Sequence, residues 1–191
     1  MTKKIIAVDL DGTLLNSESK LSDFTKETIK KISEKGHHVI ITTGRPYRMA
    51  KDFYRELELH TPMINFNGSL THLPGQAWAH EKCLTLDKKY LLDMVKRTED
   101  IQADFIAGEY RKKFYITAPN EEIANPKLFG VENFQPENQF KSELVTKDPN
   151  CILLQTRVDD KYALADEMNR FYQHQLAINT WGGPLNILEW T

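Results

Sequence analysis

Cysteine is scarce in this chain of 191 residues, which contains only Cys83 and Cys151. The two lie far apart and outside any Cys-x-x-Cys or Cys/His pattern. The sequence therefore argues against a structural zinc site and against a disulfide framework. A reducing, cytoplasmic location is the expectation that fits this composition.

Charge of one sign is also lacking, because 25 Lys and Arg residues are set against 27 Asp and Glu residues. Such a balance creates no strong field for nucleic acid or for an anionic membrane surface. Apolar runs are short as well, and none approaches the roughly 20 consecutive residues that span a bilayer. We therefore expect no nucleic-acid partner and no membrane partner, and we expect a small soluble ligand.

The first third of the chain alternates apolar strands with amphipathic helices. Residues 4–9, 38–43 and 62–66 predict strands, and the first two are continuous apolar runs. Ser22 is the predicted N-cap of a helix between the first two strands, and residues 46–57 predict the next helix. Because continuous apolar runs favour a parallel sheet covered on both faces, the predicted fold class is α/β, with a partial doubly wound, Rossmann-like sheet.

The pattern changes after a hairpin-like stretch that ends near residue 82. Helices and strands then follow without the loops of a parallel sheet, which predicts a separate α+β domain. The predicted domains are residues 1–82, the N-terminal part of the core; residues 83–183, the α+β domain ending at a Gly-Gly-Pro turn; and residues 184–191, a strand that re-enters the core.

Two carboxylates follow the first predicted strand in residues 9–15, which read DLDGTLL. The carboxylate of Asp9 can attack phosphorus and divide hydrolysis into two easier displacements. Asp11 can protonate the leaving oxygen and later deprotonate water. Mg²⁺ suits this arrangement, because it prefers hard oxygen ligands and shares them with substrate phosphate. The alternative is an Asp-rich turn that only reverses the chain.

A second polar segment follows the second predicted strand, where residues 40–46 read IITTGRP. A hydroxyl and free backbone N–H groups between a strand end and a helix start form an anion site. Thr43 is therefore the predicted phosphate ligand, with the Gly44 amide beside it; the alternative for Thr43 is a simple helix N-cap. The side chain of Arg45 is suited to hold a phosphate or a carboxylate, or is merely solvated. Asn67 follows the third strand in an Asn-Gly pair that can simply form a turn; the family resemblance described next implies instead that Asn67 lies near the phosphate site.

The segments 9–15 and 40–46 resemble the first two motifs of the haloacid dehalogenase superfamily, in particular its Cof-type sugar-phosphatase branch. The resemblance implies that Asp9 is the nucleophile and Asp11 the general acid/base. It implies that Mg²⁺ binds the Asp9 carboxylate and the Asp11 main-chain carbonyl. It also implies that residues 83–183 form a mobile cap of the C2 type, which closes over the core and chooses the substrate.

Part of the family pattern is missing from the sequence. Members resume the core after the cap with a lysine and a Gly-Asp-x-x-Asn-Asp type motif, and neither occurs before Thr191. We therefore expect a chain truncated after the cap, with the remainder of the core absent. The alternative is a natural short form that dimerises through the exposed edge of the core.

The function implied by the resemblance is a Mg²⁺-dependent phosphatase acting through an aspartyl-phosphate intermediate. Its expected substrate is a small phosphorylated metabolite, either a sugar phosphate or a similar phosphomonoester. Two alternatives stay open: phosphomutase-type phosphoryl transfer, and a catalytically incomplete chain that only binds a phosphorylated ligand or a partner.

Overall fold

The computed structural model describes residues 2–173, 175–182 and 184–191. The chain divides into two compact units, Met1–Cys83 and Leu84–Thr191, and each unit has its own hydrophobic core. The predicted α/β fold class is confirmed. Among the residues described, no helix combines the length and the apolar character needed to cross a membrane.

The first unit begins with strands and helices in alternation. Its elements in chain order are β1 (Ile5–Val8), α1 (Asp23–Glu34), β2 (His38–Ile41), α2 (Tyr47–Glu56), β3 (Met63–Asn65), β4 (Leu70–His72) and β5 (Lys82–Cys83). The side chain of Ser22 accepts a hydrogen bond from the Thr25 backbone N–H, so the predicted N-cap of α1 is confirmed. β1 and β2 pair in parallel, as predicted. β3, β4 and β5 form a separate antiparallel ladder.

The first strand differs from its prediction as a buried strand. Its residues are exposed or half-buried, and Ile5 is 70% exposed. Within the described residues, β1 pairs with β2 alone, so its outer edge lacks a neighbouring strand to cover it. The predicted homodimer through the core edge stays a prediction.

The second unit is a five-stranded antiparallel sheet with helices. Its elements are α3 (Lys88–Lys96), β6 (Ala103–Tyr110), β7 (Lys113–Ile116), β8 (Cys151–Thr156), α4 (Lys161–Phe171), β9 (Ile178–Thr180) and β10 (Ile187–Trp190). The strand order is β7-β6-β8-β10-β9. Buried residues of both helices share one core with the sheet. Gly108 permits the close approach of α3, because a Cβ there would lie 2.5 Å from Leu91 Cδ2.

The chain between β7 and β8 packs through aromatic side chains. A short 3₁₀ turn, Pro126–Phe129, lies in this segment. Phe129 is buried there, and its ring stacks on Phe114 with the centroids 4.8 Å apart. This turn therefore secures a long irregular segment to the sheet of the second unit.

The prediction for residues 184–191 is wrong, because this segment belongs to the second unit. β10 pairs antiparallel with β8 on one side and with β9 on the other. All four residues of β10 are buried, which is the pattern of a strand inside a sheet that is covered on both faces. The predicted domain boundary at Gly183 lies outside the described residues.

Candidate active site

The carboxyl ends of three strands meet at one edge of the first unit. The Thr42 N–H donates to the Val8 carbonyl (2.8 Å), which continues the ladder of β1 and β2. The Thr43 N–H donates to the Ile64 carbonyl (2.9 Å), which joins the end of β2 to β3. In parallel sheets of this kind, ligands bind beside the carboxyl ends of the strands. The predicted site residues follow these three strand ends.

A tight turn after β1 presents the two aspartates. The Leu14 N–H donates to the Asp9 carbonyl (3.3 Å), and Gly12 has a φ of +70° that favours glycine. Leu10 lies between the aspartates and is completely buried. The buried leucine anchors the turn, while the side chains of Asp9 and Asp11 remain exposed.

Arg45 binds the carboxylate of Asp11 through two hydrogen bonds. Its Nε donates to Asp11 Oδ2 at 2.8 Å, and its Nη2 donates to Asp11 Oδ1 at 2.6 Å. This bidentate geometry matches the planar fork of arginine to a carboxylate. Of the roles left open for Arg45, the structure shows the carboxylate contact. The guanidinium also lies over the Phe53 ring, 5.6 Å from its centroid.

Thr43 is buried, and its hydroxyl oxygen accepts a hydrogen bond from the Arg45 N–H at 3.1 Å. The N-cap of α2 is Pro46, which makes no side-chain cap bond. The N-cap alternative for Thr43 is therefore wrong. The hydroxyl hydrogen of Thr43 can still be donated, which is what a phosphate oxygen requires.

Gly44 and Asn67 lie against each other. A Cβ added to Gly44 would lie 2.9 Å from Asn67 Oδ1, so a side chain at this position would displace the amide. Asn67 has a φ of +52°, and its N–H donates to the Thr43 carbonyl at 3.3 Å. Both readings of Asn67 fit this geometry, since it forms a turn and also lies beside the predicted phosphate loop.

Asn65 is a site residue that sequence reasoning missed. It is completely buried, and its Nδ2 donates to the Arg45 carbonyl at 2.8 Å. Its Oδ1 lies 3.0 Å from His72 Nε2. A polar residue at the end of an apolar strand was the one available signal, and the neighbouring Asn67-Gly68 turn explained that signal equally well.

This edge carries two carboxylates and a hydroxyl, which are the groups that the predicted nucleophile, acid/base and phosphate ligand require. The Asp9 carboxylate has no hydrogen-bond or ion-pair partner in the described part of the chain, whereas Asp11 is held by Arg45. No group of three or more His, Cys, Asp or Glu side chains among the described residues is arranged to hold a metal ion. The carboxylate of Asp9 is exposed at this edge, whereas both carboxylate oxygens of Asp11 are bound to Arg45.

The family follows from sequence comparison. Residues 6–189 match the model of the haloacid dehalogenase-like hydrolases, which covers nearly the whole chain. The chain therefore belongs to the haloacid dehalogenase-like hydrolase family, as the two motifs predict.

Individual relatives agree with this assignment. The chain is 28% identical over 190 residues to the 5-amino-6-(5-phospho-D-ribitylamino)uracil phosphatase YitU of Bacillus subtilis, a match that covers 97% of this chain and 68% of the relative. It is 35% identical over 137 residues to the phosphatase YwpJ of the same organism, covering 70% of this chain and 46% of the relative. The chain thus spans about two thirds of the length of YitU and about half of the length of YwpJ.

A solved structure shares the fold. A haloacid dehalogenase-like hydrolase from Bacteroides thetaiotaomicron superposes with a TM-score of 0.77 at 18% identity. The match covers 100% of this chain and 71% of that protein.

Proposed function

We propose that this chain carries the nucleophile and phosphate-binding part of a phosphatase active site. The observation that supports the proposal most strongly is the bidentate contact between Arg45 and Asp11, next to the exposed carboxylate of Asp9. This contact brings residues of the first two motifs together at the edge where strand ends meet. An Asp-rich turn that only reversed the chain would not require it.

The proposed reaction has two displacements. In the first, an oxygen of the Asp9 carboxylate attacks phosphorus, the phosphorus–oxygen ester bond breaks, and the leaving oxygen takes a proton from Asp11. In the second, water attacks the phosphorus of the aspartyl phosphate and gives a proton to Asp11. Inorganic phosphate leaves, and Asp9 and Asp11 return to their starting states.

Arg45 is proposed to orient Asp11 between these two proton transfers. The guanidinium holds both oxygens of the ionised carboxylate, which is the form that Asp11 has after it has protonated the leaving oxygen and before it takes a proton from water. The hydroxyl of Thr43 and the backbone N–H of Gly44 are proposed to bind phosphate oxygens, with Asn67 beside them. Fixed donors at this position would stabilise the charge of the transferred group.

The donor set at this edge fits Mg²⁺. This ion keeps several water ligands and takes one or two protein carboxylates together with substrate phosphate. The exposed carboxylate of Asp9 and the main-chain carbonyl of Asp11 are the proposed protein ligands, because the side chain of Asp11 is bound to Arg45. The ion would offset the repulsion between Asp9 and the phosphate.

The proposed substrate class is a small phosphorylated metabolite, either a sugar phosphate or a similar phosphomonoester. Support comes from the B. subtilis relative YitU, whose name specifies a phosphorylated ribitylaminouracil. The second unit is proposed to act as the cap that selects among such esters. Its α+β architecture, separate from the first unit, supports this role.

The test is phosphate release from p-nitrophenyl phosphate, measured with and without Mg²⁺. The native chain is compared with Asp9→Asn, which keeps the shape of the nucleophile and removes its charge. The matched control is Asp52→Asn, which alters an exposed carboxylate on α2 that forms an ion pair with Arg55. We expect Mg²⁺-dependent turnover in the native chain and in the control, and none above background in Asp9→Asn.

Other outcomes lead to different conclusions. Turnover that persists in Asp9→Asn would refute the nucleophile assignment. Absence of turnover in the native chain, with saturable binding of inorganic phosphate, would support the alternative of a phospho-ligand-binding chain. Transfer of phosphate to an added sugar phosphate in preference to water would support the phosphomutase alternative.

A further inference from the structure

A buried amide joins the loop that follows β2 to the β3–β4 hairpin. Asn65, at the end of β3, is 0% exposed. Its Nδ2 donates to the Arg45 carbonyl at 2.8 Å, and its Oδ1 lies 3.0 Å from Nε2 of His72, the last residue of β4. The His72 ring in turn meets the ring of Tyr47 edge-on, with centroids 5.0 Å apart.

The Arg45 carbonyl determines the donor and the acceptor in both hydrogen bonds of Asn65. A carbonyl only accepts, so the Asn65 nitrogen must face it and the amide oxygen must face His72. The amide oxygen only accepts as well, so His72 Nε2 carries a hydrogen in both the neutral and the protonated ring. A reversed amide would place two oxygens together at the Arg45 carbonyl.

The backbone of Arg45 is therefore held at both ends. Its N–H donates to Thr43 Oγ1 at 3.1 Å, and its carbonyl accepts from Asn65 at 2.8 Å. Its side chain reaches Asp11 from this fixed backbone. Movement of the Arg45 backbone would shift the guanidinium, because a bidentate contact requires both nitrogens to face the carboxylate together.

We propose that Asn65 and His72 are positioning residues for Arg45 and, through Arg45, for Asp11, the acid/base of the proposed reaction. Asn65 holds the Arg45 backbone, and the Nε2–H of His72 holds the amide of Asn65. The inference rests on the proposed function for its kinetic consequence. Its structural content, a His72 ring with hydrogen on Nε2 and an ordered loop at Arg45, does not depend on turnover.

Three substitutions separate the hydrogen bonds from the packing. Asn65→Asp has nearly the same shape but replaces the donor to Arg45 with an oxygen. His72→Phe keeps an aromatic ring against Tyr47 and removes the Nε2–H. His72→Gln loses the ring but keeps an amide donor near the position of Nε2. The proposal predicts that Asn65→Asp and His72→Phe behave alike and that His72→Gln resembles the native chain.

The first measurement is amide hydrogen exchange and long-range ¹H–¹⁵N NMR on the native chain and the variants. We expect the native His72 ring to show its hydrogen on Nε2. Loss of one buried hydrogen bond should raise the exchange rate of the Arg45 amide about tenfold in Asn65→Asp and His72→Phe. Amides of α1 should not change, and His72→Gln should stay within about twofold of the native rate.

The second measurement is hydrolysis of p-nitrophenyl phosphate with Mg²⁺. Because Asp11 acts in the chemical step, a misplaced Arg45 should lower kcat about tenfold and leave KM within about twofold. His72→Gln should restore most of kcat. A residue with only a structural role would instead change the unfolding midpoint, without this division between kcat and KM.

The outcomes distinguish this inference from the proposed function. A neutral His72 with its hydrogen on Nδ1, or equal Arg45 exchange in all variants, would overturn the inference even if the native chain is active. High kcat in His72→Phe together with low kcat in His72→Gln would also overturn it, because ring packing would then be the cause. An inactive native chain with the expected exchange pattern would refute the proposed function and leave the positioning contacts supported.

Discussion

The contact between Arg45 and Asp11 should contribute measurably to the stability of the first unit. It has two short hydrogen bonds, 2.6 and 2.8 Å, and the arginine side chain is only 22% exposed. The aspartate side chain is 55% exposed, so solvent screens part of the attraction. We expect a coupling free energy of about 1 kcal/mol, at the upper end for pairs of this exposure.

The coupling is measured with a double-mutant cycle built from Arg45→Gln, Asp11→Asn and the double variant. Urea unfolding is followed through the amide NMR signals of β1 and β2, which report on the first unit alone. The cycle is needed because Arg45 also lies over Phe53, and the loss of that contact cancels between the two arms. In 1 M salt, where the Debye length is about 3 Å, the coupling should fall by roughly half or more.

The matched control is the pair formed by Lys20 and Glu18. It has one contact of 3.0 Å, and its side chains are 72% and 69% exposed, so its coupling should be about 0.3 kcal/mol or less. An Asp11–Arg45 coupling no larger than that of the control would refute the reasoning. A coupling insensitive to salt would show that it does not come from the charges.

Three further predictions concern the second unit. Gly108→Ala should lower the free energy of unfolding by about 1–2 kcal/mol, and the same substitution should cost little in a Leu91→Ala background, because the added Cβ meets Leu91. Asp160→Ala should cost about 1 kcal/mol and Asp160→Asn much less, since Asp160 accepts two backbone hydrogen bonds at the start of α4; urea unfolding measures both. Burial, with the hydrogen bond to Asp93 second, raises the pKa of Tyr172 above its usual value. The contribution of Tyr172 to stability is therefore present below about pH 10 and is lost as pH rises further. Tyr172→Phe should flatten the fall in unfolding midpoint above about pH 10.

Much of the first unit follows from local sequence signals. Ser22 precedes a helical pattern and caps it, and the apolar run of β2 forms a strand. The meeting of the segments that follow β1 and β2 was predictable, because parallel strands bring their carboxyl ends to one edge. The contact of Arg45 with Asp11 was not predictable, because a guanidinium binds a carboxylate and a phosphate in the same way. The sequence does not show which of the two lies within reach.

Asn65 shows a different limit. Asparagine is common next to turns because its side chain forms hydrogen bonds with the nearby backbone. An asparagine at position 65 is therefore little evidence for a role in the site. Its role depends on His72, which is brought opposite by the pairing of β3 with β4. The hydrogen bond exists only once that hairpin has its register.

The last strand shows that periodicity identifies a strand without identifying its sheet. Residues 187–190 read ILEW and are buried in the structure. A short run that is buried on both faces suits an interior strand of either unit equally well. β10 lies between β8 and β9 because of hydrogen bonding and packing across the sheet. A single sequence does not reveal which strands pair in this way.

The position of β10 between β8 and β9 has a consequence for the order of folding. β9 and β10 are neighbours in the chain and form a local hairpin, whereas β8 reaches β10 only across the intervening α4. Local pairs form early, and pairs with large sequence separation pay more loop-closure entropy and form late. During synthesis, the sheet of the second unit therefore stays incomplete until Trp190 has emerged from the ribosome.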